Sequence, residues 1–308
     1  MFRRFRTPNW LVQHTFHYQK WQQVHESKLL NIKEGLKKFQ VEKPLVTICV
    51  PVWNEEENLL RTLSSFAAME VPYPTELLFV NNNSTDGTQE ILDYMQVKTI
   101  HQPKQGIAHT RLMGLENSKG EYSLCCDGDS IYPPEWIASM IQPMLSKRDV
   151  MLVYGLYSYV PEADKGRFDL GVYEIFAEIS MQVRRLKREF INVRGFNFGF
   201  RTQQGLEVEG FNMPLTRTFD SDPSKGNYVI YGEDGRMGRK MSEIGKIQLV
   251  SDYRARVWTS PRRLMKDGSI FQAFVKRLKS EGSNLYTYTL GPKKLKHTTD
   301  DLLKDTRS

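Results

Sequence analysis

The feature that most constrains this chain is a regular alternation of short apolar runs and helical stripes between residues 45 and 126. Residues 45–50 form a continuous β-branched and apolar run closed by Pro51, the pattern of a strand buried on both faces. Leu59, Leu60, Leu63, Phe66 and Ala67 then recur at helical spacing, and residues 76–80 read as a second strand. Asp86-Gly87-Thr88-Gln89 offers an N-cap with Gln three residues on, opening a helix through Ile91, Leu92 and Met95. A strand over 97–100, a helix over 106–115 and a strand over 122–126 continue the series. Strand and helix alternating in units of about thirty residues specify a doubly wound α/β layer with parallel strands.

The flanks differ in character. Trp10, Leu11, His14, Phe16, His17, Trp21 and Val24 fall loosely at helical spacing and predict one or two accessory helices within residues 1–43, with His14 and His17 as surface residues rather than metal ligands. After Pro133-Pro134 the chain reads as a helix to about residue 145, an extended stretch over 151–160, a long basic helix over 168–190 and a Gly and aromatic-rich stretch over 193–201. Strand-like runs over 247–250 and 254–258 precede a basic helix over 270–278 and a polar tail. The expected organisation is a helical extension (1–43), a main domain (44–263, with halves 44–132 and 133–263) and a basic helix with tail (264–308).

With 40% hydrophobic and 26% charged residues the chain is an ordinary globular one, which excludes collagen, coiled coil and wholesale disorder. Its 43 Lys and Arg against 36 Asp and Glu leave +7, an excess that suits an anionic substrate, a phospholipid surface or nucleic acid. Cys49, Cys125 and Cys126 have no CxxC spacing and read as buried thiols. No apolar window approaches the ~18 residues of a membrane span, so a cytoplasmic chain is expected.

In such sheets ligands bind beyond the carboxyl ends of the strands, and three of these ends are unusually polar. They read Pro51-Val52-Trp53-Asn54-Glu55-Glu56, Asn81-Asn82-Asn83-Ser84-Thr85-Asp86-Gly87 and Asp127-Gly128-Asp129-Ser130. Two carboxylates separated by glycine can reach one hard cation, Mg²⁺ or Mn²⁺, while the glycine admits a bulky ligand; in isolation the same tripeptide is a plain turn. Glu233-Asp234 lies between glycines ahead of a predicted helix, where a carboxylate serves either as a general base or as a cap for the first turn. Arg262 and Arg263 follow another strand-like run, and Arg recognises phosphate oxygens bidentately. Neither a GxGxxG fingerprint nor a GxxxxGK[ST] loop occurs, which disfavours nicotinamide and P-loop chemistry.

Taken together and in order, these pieces resemble the inverting nucleotide-sugar glycosyltransferases of family 2, over about residues 45–263. Gly106-Ile107-Ala108 with Arg111 and Gly114, Gly195-Phe196-Asn197, Gly210-Phe211-Asn212 and Gly232-Glu233-Asp234 complete the set. The resemblance implies a three-layer α/β/α Rossmann-like sheet of the A-type glycosyltransferase fold, with helical extensions at both ends. It also implies that Pro51, Asn54 and Glu55 line the base and ribose, that Asn82 stands where an Asp often reads a uracil edge, and that Arg111 lies near the diphosphate. Asp129 and Asp127, with Gly128 between them, become the metal and ribose-diphosphate residues of a DXD motif. Asp234 becomes the base, with Glu233 beside it, and Arg262 and Arg263 close over the leaving diphosphate. A nucleotide sugar, UDP-linked by preference, would be the donor and a saccharide or lipid-linked saccharide the acceptor, in polysaccharide synthesis at the cell surface.

Two departures matter. Asn81-Asn82 replaces paired acids, and because an amide both donates and accepts, the choice between uracil and guanine stays open. No His occurs between His109 and His297 to serve as a later metal ligand. The Gln/Arg-rich and membrane-spanning elements of processive synthases do not occur, so single addition is expected. A sugar-phosphate nucleotidyltransferase would carry a Gly-rich basic loop after the first strand, which Pro51-Val52-Trp53-Asn54-Glu55 is not. A non-catalytic membrane or nucleic-acid module would draw on Phe2-Arg3-Arg4-Phe5-Arg6, Arg184 to Arg188 and Lys293-Lys294-Leu295-Lys296. Nucleic acid is not an expected partner; an anionic inner leaflet met by the basic N-terminus and by Phe271, Phe274 and Val275 with Lys276, Arg277 and Lys279 is.

Overall fold

The strands in chain order are β1 (Val46–Val52), β2 (Thr75–Asn81), β3 (Lys98–His101), β4 (Tyr122–Cys125), β5 (Ser130–Ile131), β6 (Val150–Gly155), β7 (Tyr157–Tyr159), β8 (Phe198–Arg201), β9 (Lys246–Val250) and β10 (Val257–Thr259). The helices are α1 (Asn9–Val12), α2 (Glu26–Leu36), α3 (Glu56–Ala67), α4 (Thr88–Met95), α5 (Ile107–Glu116), α6 (Trp136–Ser146), α7 (Arg167–Arg185), α8 (Thr202–Glu207), α9 (Glu233–Ile244), α10 (Arg262–Met265) and α11 (Ile270–Thr289). This computed structural model describes residues 5–161, 167–213, 232–265 and 269–289.

Seven strands make one sheet in the order β3-β2-β1-β4-β8-β6-β9, and β5-β10-β7 form a small second sheet. β1 lies between β2 and β4 and is parallel to both, so every one of its residues is buried, as its unbroken apolar run requires. Its alternate residues Val46, Ile48, Val50 and Val52 join Leu59, Leu63 and Phe66 of α3, Ile91 of α4, Ile137 of α6 and Ile32 of α2 on one face. Each such side chain contributes about 1.5–3 kcal/mol on burial. The other face carries α5 and α9, with Leu115, Cys125, Phe198, Phe200, Met237 and Met241 in a second cluster. The architecture is therefore the three-layer α/β/α sheet that the alternation implies.

The structure corrects several expectations. β1 continues through Pro51 instead of ending there. The Cys49 carbonyl faces β4, so by alternation the Pro51 nitrogen faces the same side, where β4 has already stopped and no donor is needed. β8 is antiparallel to both β4 and β6, because the chain enters it from the turn at 194–197 beside the carboxyl end of β6 and must run back. The extended stretch after residue 150 splits at Gly155 between the two sheets, and α11 runs on to Thr289 in place of a polar tail. Residues 1–4 and 290–308, with Phe2, Arg3, Arg4, Lys293, Lys294, Lys296 and His297, lie outside the described residues. No helix among the described residues is long and apolar enough to cross a membrane.

Among the described residues the N-terminal segment holds two helices, α1 and α2, of which the longer, α2, lies downstream of the aromatics. His14 is buried rather than exposed, and its Nδ1 lies 2.8 Å from Ser64 Oγ on α3, pinning the segment to the main sheet. Burial, with Lys28 nearby, pushes its pKa down to about 4. The unfolded chain therefore binds a proton near pH 6.5 that the folded chain refuses, so stability falls as pH drops from about 6.5 to about 4. Urea unfolding of His14→Asn is expected to show that acid loss reduced by a few kcal/mol relative to the parent chain, of the order of 3 kcal/mol for a shift this size.

Candidate active site

The parallel order of β2, β1 and β4 brings their three polar carboxyl ends to one edge. The first two loops are laced together. Asn54 N–H donates to Ser84 Oγ at 3.0 Å, Asn54 Oδ1 accepts from Thr85 N–H at 2.8 Å, Glu55 N–H donates to Thr88 Oγ1 at 2.9 Å and Glu56 N–H to Asp86 Oδ2 at 3.0 Å. Asn54 and Asn83 adopt left-handed backbone, φ 53° and 58°, a conformation asparagine tolerates better than most residues. Asp86 Oδ1 accepts from Thr88 N–H at 3.0 Å, while the cap position itself is Gly87 and Gln89 is taken up by Asn81.

Three expected contacts are placed differently. Asn82 is buried and spends both N–H donors on the carbonyls of Gln102 and Lys104, at 2.9 and 2.7 Å, while its oxygen accepts from Gly106 N–H at 2.7 Å. It clasps the loop before α5 and has no donor left for a base edge. Pro51 is buried within the sheet. Arg111 is 2% exposed and lies beneath the crevice rather than facing it.

That buried arginine joins the two acidic pairs. Its Nη2 donates to Asp127 Oδ1 at 2.7 Å and its Nε to Glu233 Oε1 at 3.3 Å. Burial works against the charge, but the carboxylates of Asp127, Glu233 and Asp234 outweigh it and hold the guanidinium firmly protonated. Gly195 packs on the same guanidinium, where a Cβ would sit 2.4 Å from Nη2. Gly195 N–H in turn donates to Asp234 Oδ2 at 2.9 Å, and Asp234 Oδ1 accepts from Gly235 N–H at 2.7 Å. Asp234 thus occupies the first turn of α9, where the helix dipole favours a carboxylate. Burial and the charge of Asp234 raise the pKa of Glu233, with Arg111 opposing.

α9 is set at this depth by two glycines. Gly210 leaves room for Met237 Sδ, 2.2 Å from where its Cβ would be, and Gly238 admits Val193 Cγ2 at 2.8 Å. Opposite, Asp127 N–H donates to the buried Tyr132 hydroxyl at 2.9 Å, which donates on to the Phe196 carbonyl at 3.1 Å. Gly128 lies against Val52 Cγ1 and the Glu55 chain, and its carbonyl accepts from Thr62 Oγ1 at 2.8 Å. Arg262 Nη2 stands between Glu55 Oε1 at 2.9 Å and Asp129 Oδ2 at 3.3 Å. Burial raises the pKa of Glu55, and Arg262 pulls against that rise. The Arg263 side chain lies outside the described residues. Beside Arg262 opens a cavity of about 590 Å³ lined by Lys20, Asn54, Glu57, Asn58 and Asp86, within the range of small-molecule sites.

The model of "Glycosyl transferase family 2" matches residues 47–203, half of the chain. The chain belongs to glycosyl transferase family 2. Among relatives of this family 2 chain, a dolichol-phosphate mannosyltransferase of Saccharomyces cerevisiae is 30% identical over 32% of this chain and 40% of its own length. A glucosyl-dolichyl phosphate glucuronosyltransferase of Haloferax volcanii is 24% identical over 65% of this chain and 70% of its own. The chain thus spans under half the length of the yeast relative. Of solved structures, a mannosyltransferase from Pyrobaculum calidifontis, in complex with GDP-Man and Mn²⁺, superposes with TM-score 0.54 at 18% identity over 84% of this chain and 76% of its own. TarS residues 1–349 from S. aureus gives 0.52 at 16% over 78% and 71%. These likenesses establish the A-type glycosyltransferase fold.

The family 2 site has the donor chemistry for a hard divalent cation. Asp129 and Asp127 offer hard oxygen ligands one residue apart, and a guanidinium already sits against Asp129 and Glu55; Gly128 between them gives its space to Val52 and Glu55 rather than to a ligand, contrary to the expectation from the tripeptide. Among the described residues no cluster of three or more His, Cys, Asp or Glu could hold a metal, so phosphate oxygens or water would complete the shell. Tyr132, Thr62 and Lys20, which support or line the crevice, escape sequence reasoning because each reaches it from outside the three polar strand ends. Replacing Arg111 by Met leaves two carboxylates in the same buried space without their cation. We expect a loss of about 3–5 kcal/mol in urea unfolding, partly recovered by Lys.

Proposed function

We propose that this chain transfers a single sugar from a nucleoside-diphosphate sugar, UDP-linked by preference, to a hydroxyl of a saccharide or lipid-linked saccharide, with inversion, in cell-surface glycan synthesis. One observation carries the reading: two acidic pairs at the carboxyl edge of the sheet, one suited to a metal and one to a base, locked to each other through Arg111. The GDP-Man and Mn²⁺ of the structurally similar mannosyltransferase support a nucleotide-sugar donor and a divalent metal.

In this reading Asp129 and Asp127 hold Mg²⁺ or Mn²⁺, and a bound cation would supply charge stabilisation to the leaving diphosphate. Asn54, Glu55 and Gly128 border the nucleoside, with Pro51 and Asn82 shaping that wall from behind. Arg262 is drawn from Glu55 and Asp129 to the leaving phosphate oxygens, Arg263 following it in sequence; Arg suits phosphate because its fork of donors matches paired oxygens. Asp234 takes the acceptor proton. Its two oxygens each receive a backbone N–H, which orients the carboxylate. Glu233, held by Arg111, fixes the electrostatic surroundings of that base. A base on one face and a departing diphosphate on the other invert the anomeric centre.

Phe274 packs on Phe176 with ring centroids 5.0 Å apart, and Arg277 donates to Tyr173, so neither belongs to an outward face. Arg184 and Arg188 are buried as well. What α7 and α11 expose instead includes apolar side chains recurring on one side of each helix: Phe168 and Ile179 on the first, with Leu186 just past its end, and Phe271, Leu278 and Leu285 on the second. Lys279 flanks that stripe on α11, while Lys276 lies on the other side of the helix. We place the chain at the cytoplasmic face of an anionic membrane through these two helices, where a lipid-linked acceptor would be met.

Calorimetric titration with UDP, GDP and their sugars, with and without Mn²⁺, tests the donor assignment. Metal-dependent binding of one nucleotide, weakened at least about tenfold in Asp129→Ala, is expected; absence of nucleotide binding in the parent chain overturns it. Separately, flotation with vesicles containing anionic lipid is expected to carry the chain, and Phe271→Ser with Leu278→Ser to abolish flotation at unchanged fold.

A further inference from the structure

Directly behind the turn that binds Asp234 lies a group of arginines with too few carboxylates. Arg194 immediately precedes Gly195, whose N–H holds Asp234 Oδ2. Its backbone is fixed: its carbonyl accepts from Asn197 N–H at 2.9 Å, and the Asn197 amide is locked by Leu156, Ala255 and Trp136. The Arg194 guanidinium is half-buried, within electrostatic reach of Tyr157 and Arg184, and makes no ion pair among the described residues.

Its two basic neighbours share a single acid. Buried Arg184 pairs with Glu281 and donates to Asn192 Oδ1 at 2.7 Å, while Arg277 lies 3.7 Å from the same Glu281 and donates to Tyr173 at 3.0 Å. Arg184 and Arg277 thus divide the Glu281 carboxylate between them, with the Arg194 guanidinium within electrostatic reach of Arg184. Tyr157 closes the group, its ring 5.3 Å from Phe196, the residue after Gly195. The excess is felt locally: Arg277 and Arg194 outweigh burial and hold the Tyr157 hydroxyl below its ordinary pKa, and burial together with Arg194 and Arg277 lowers that of Arg184. Half-buried like charges are costly to assemble unless an anion joins them.

We infer that Arg194, with Arg277 and Tyr157, binds a phosphate carried by the acceptor, placing the neighbouring hydroxyl against Asp234. The inference rests on the transferase reading and adds the class of acceptor: a phosphorylated one. Arg194 supplies paired donors to two phosphate oxygens, Tyr157 a third, and no bond is made or broken there. The phosphate has two possible sources, a soluble sugar phosphate or the headgroup of a polyprenyl-phosphate-linked saccharide.

The test is calorimetric titration of the full chain saturated with its nucleotide and Mn²⁺, using glucose 1-phosphate in one arm and a short-chain, water-soluble prenyl phosphate in the other. At least one probe is expected to bind alongside the nucleotide. Its affinity should fall at least about tenfold in Arg194→Gln and recover in part in Arg194→Lys, with nucleotide affinity unchanged in both variants. The arm with the tighter probe names the source. Equal affinity in the parent chain and Arg194→Gln, displacement of the probe by nucleotide, or no binding of either probe overturns the inference. A parent chain that binds no nucleotide fails at the transferase reading itself, before this cluster is tested.

Discussion

A single buried cation organises this site. Arg111 sits on α5 with almost no contact with water, and its guanidinium reaches Asp127 on one side and Glu233 on the other. Without it, the ends of β4 and α9 would bring carboxylates together in a space too dry to tolerate them. With it, charge repulsion becomes attraction, and Arg111 and Glu233, 122 residues apart in sequence, are held to one geometry. Gly195 completes the arrangement because no other residue lets the backbone lie against the guanidinium while donating to Asp234.

Backbone approach rather than side-chain reach fixes the remaining parts. Gly114 admits Cys49 Sγ, which seats α5 against β1 and so sets the height of Arg111. Gly210 and Gly238 do the same for α9 and Asp234, and Gly128 for the first and third loops. These contacts explain why the glycine pairs with aromatic neighbours, Gly195-Phe196 and Gly210-Phe211, sit where they do. In each the glycine yields space, and Phe211 fills the core beside Phe198 and Phe200. Rigid seating of this kind is what a site needs when its charged groups must hold position against one another.

Much of the fold was legible in the chain. The burial of β1 on both faces, the order of strands and helices to residue 126 and the buried thiols all follow from apolar runs of fixed length, since only a sandwiched strand accepts an unbroken run. The polar strand ends were legible for the same reason: hydrophilic residues directly after a buried strand have nowhere to go but the sheet's edge. Helix limits and roles in the second half were less so. Phe274 and Arg277 read as a surface stripe, yet they face α7, because periodicity reports that a helix has a buried side without saying which neighbour covers it.

Residue identity likewise fixed what each group can do and left open what it does. The sequence by itself determined the layered sheet, the family and the set of acids, amides and arginines near the crevice, because local periodicity and order along the chain survive without knowledge of contacts. Tertiary structure alone decided that Arg111 lies beneath the site, that Asn82 spends its donors on a loop, that Arg262 bridges Glu55 and Asp129, and that Arg194 has no acid of its own among the described residues. The physical reason is that hydrogen bonds and charge pairs depend on through-space distance, and partners such as Glu55 and Arg262, 207 residues apart, meet only in the fold.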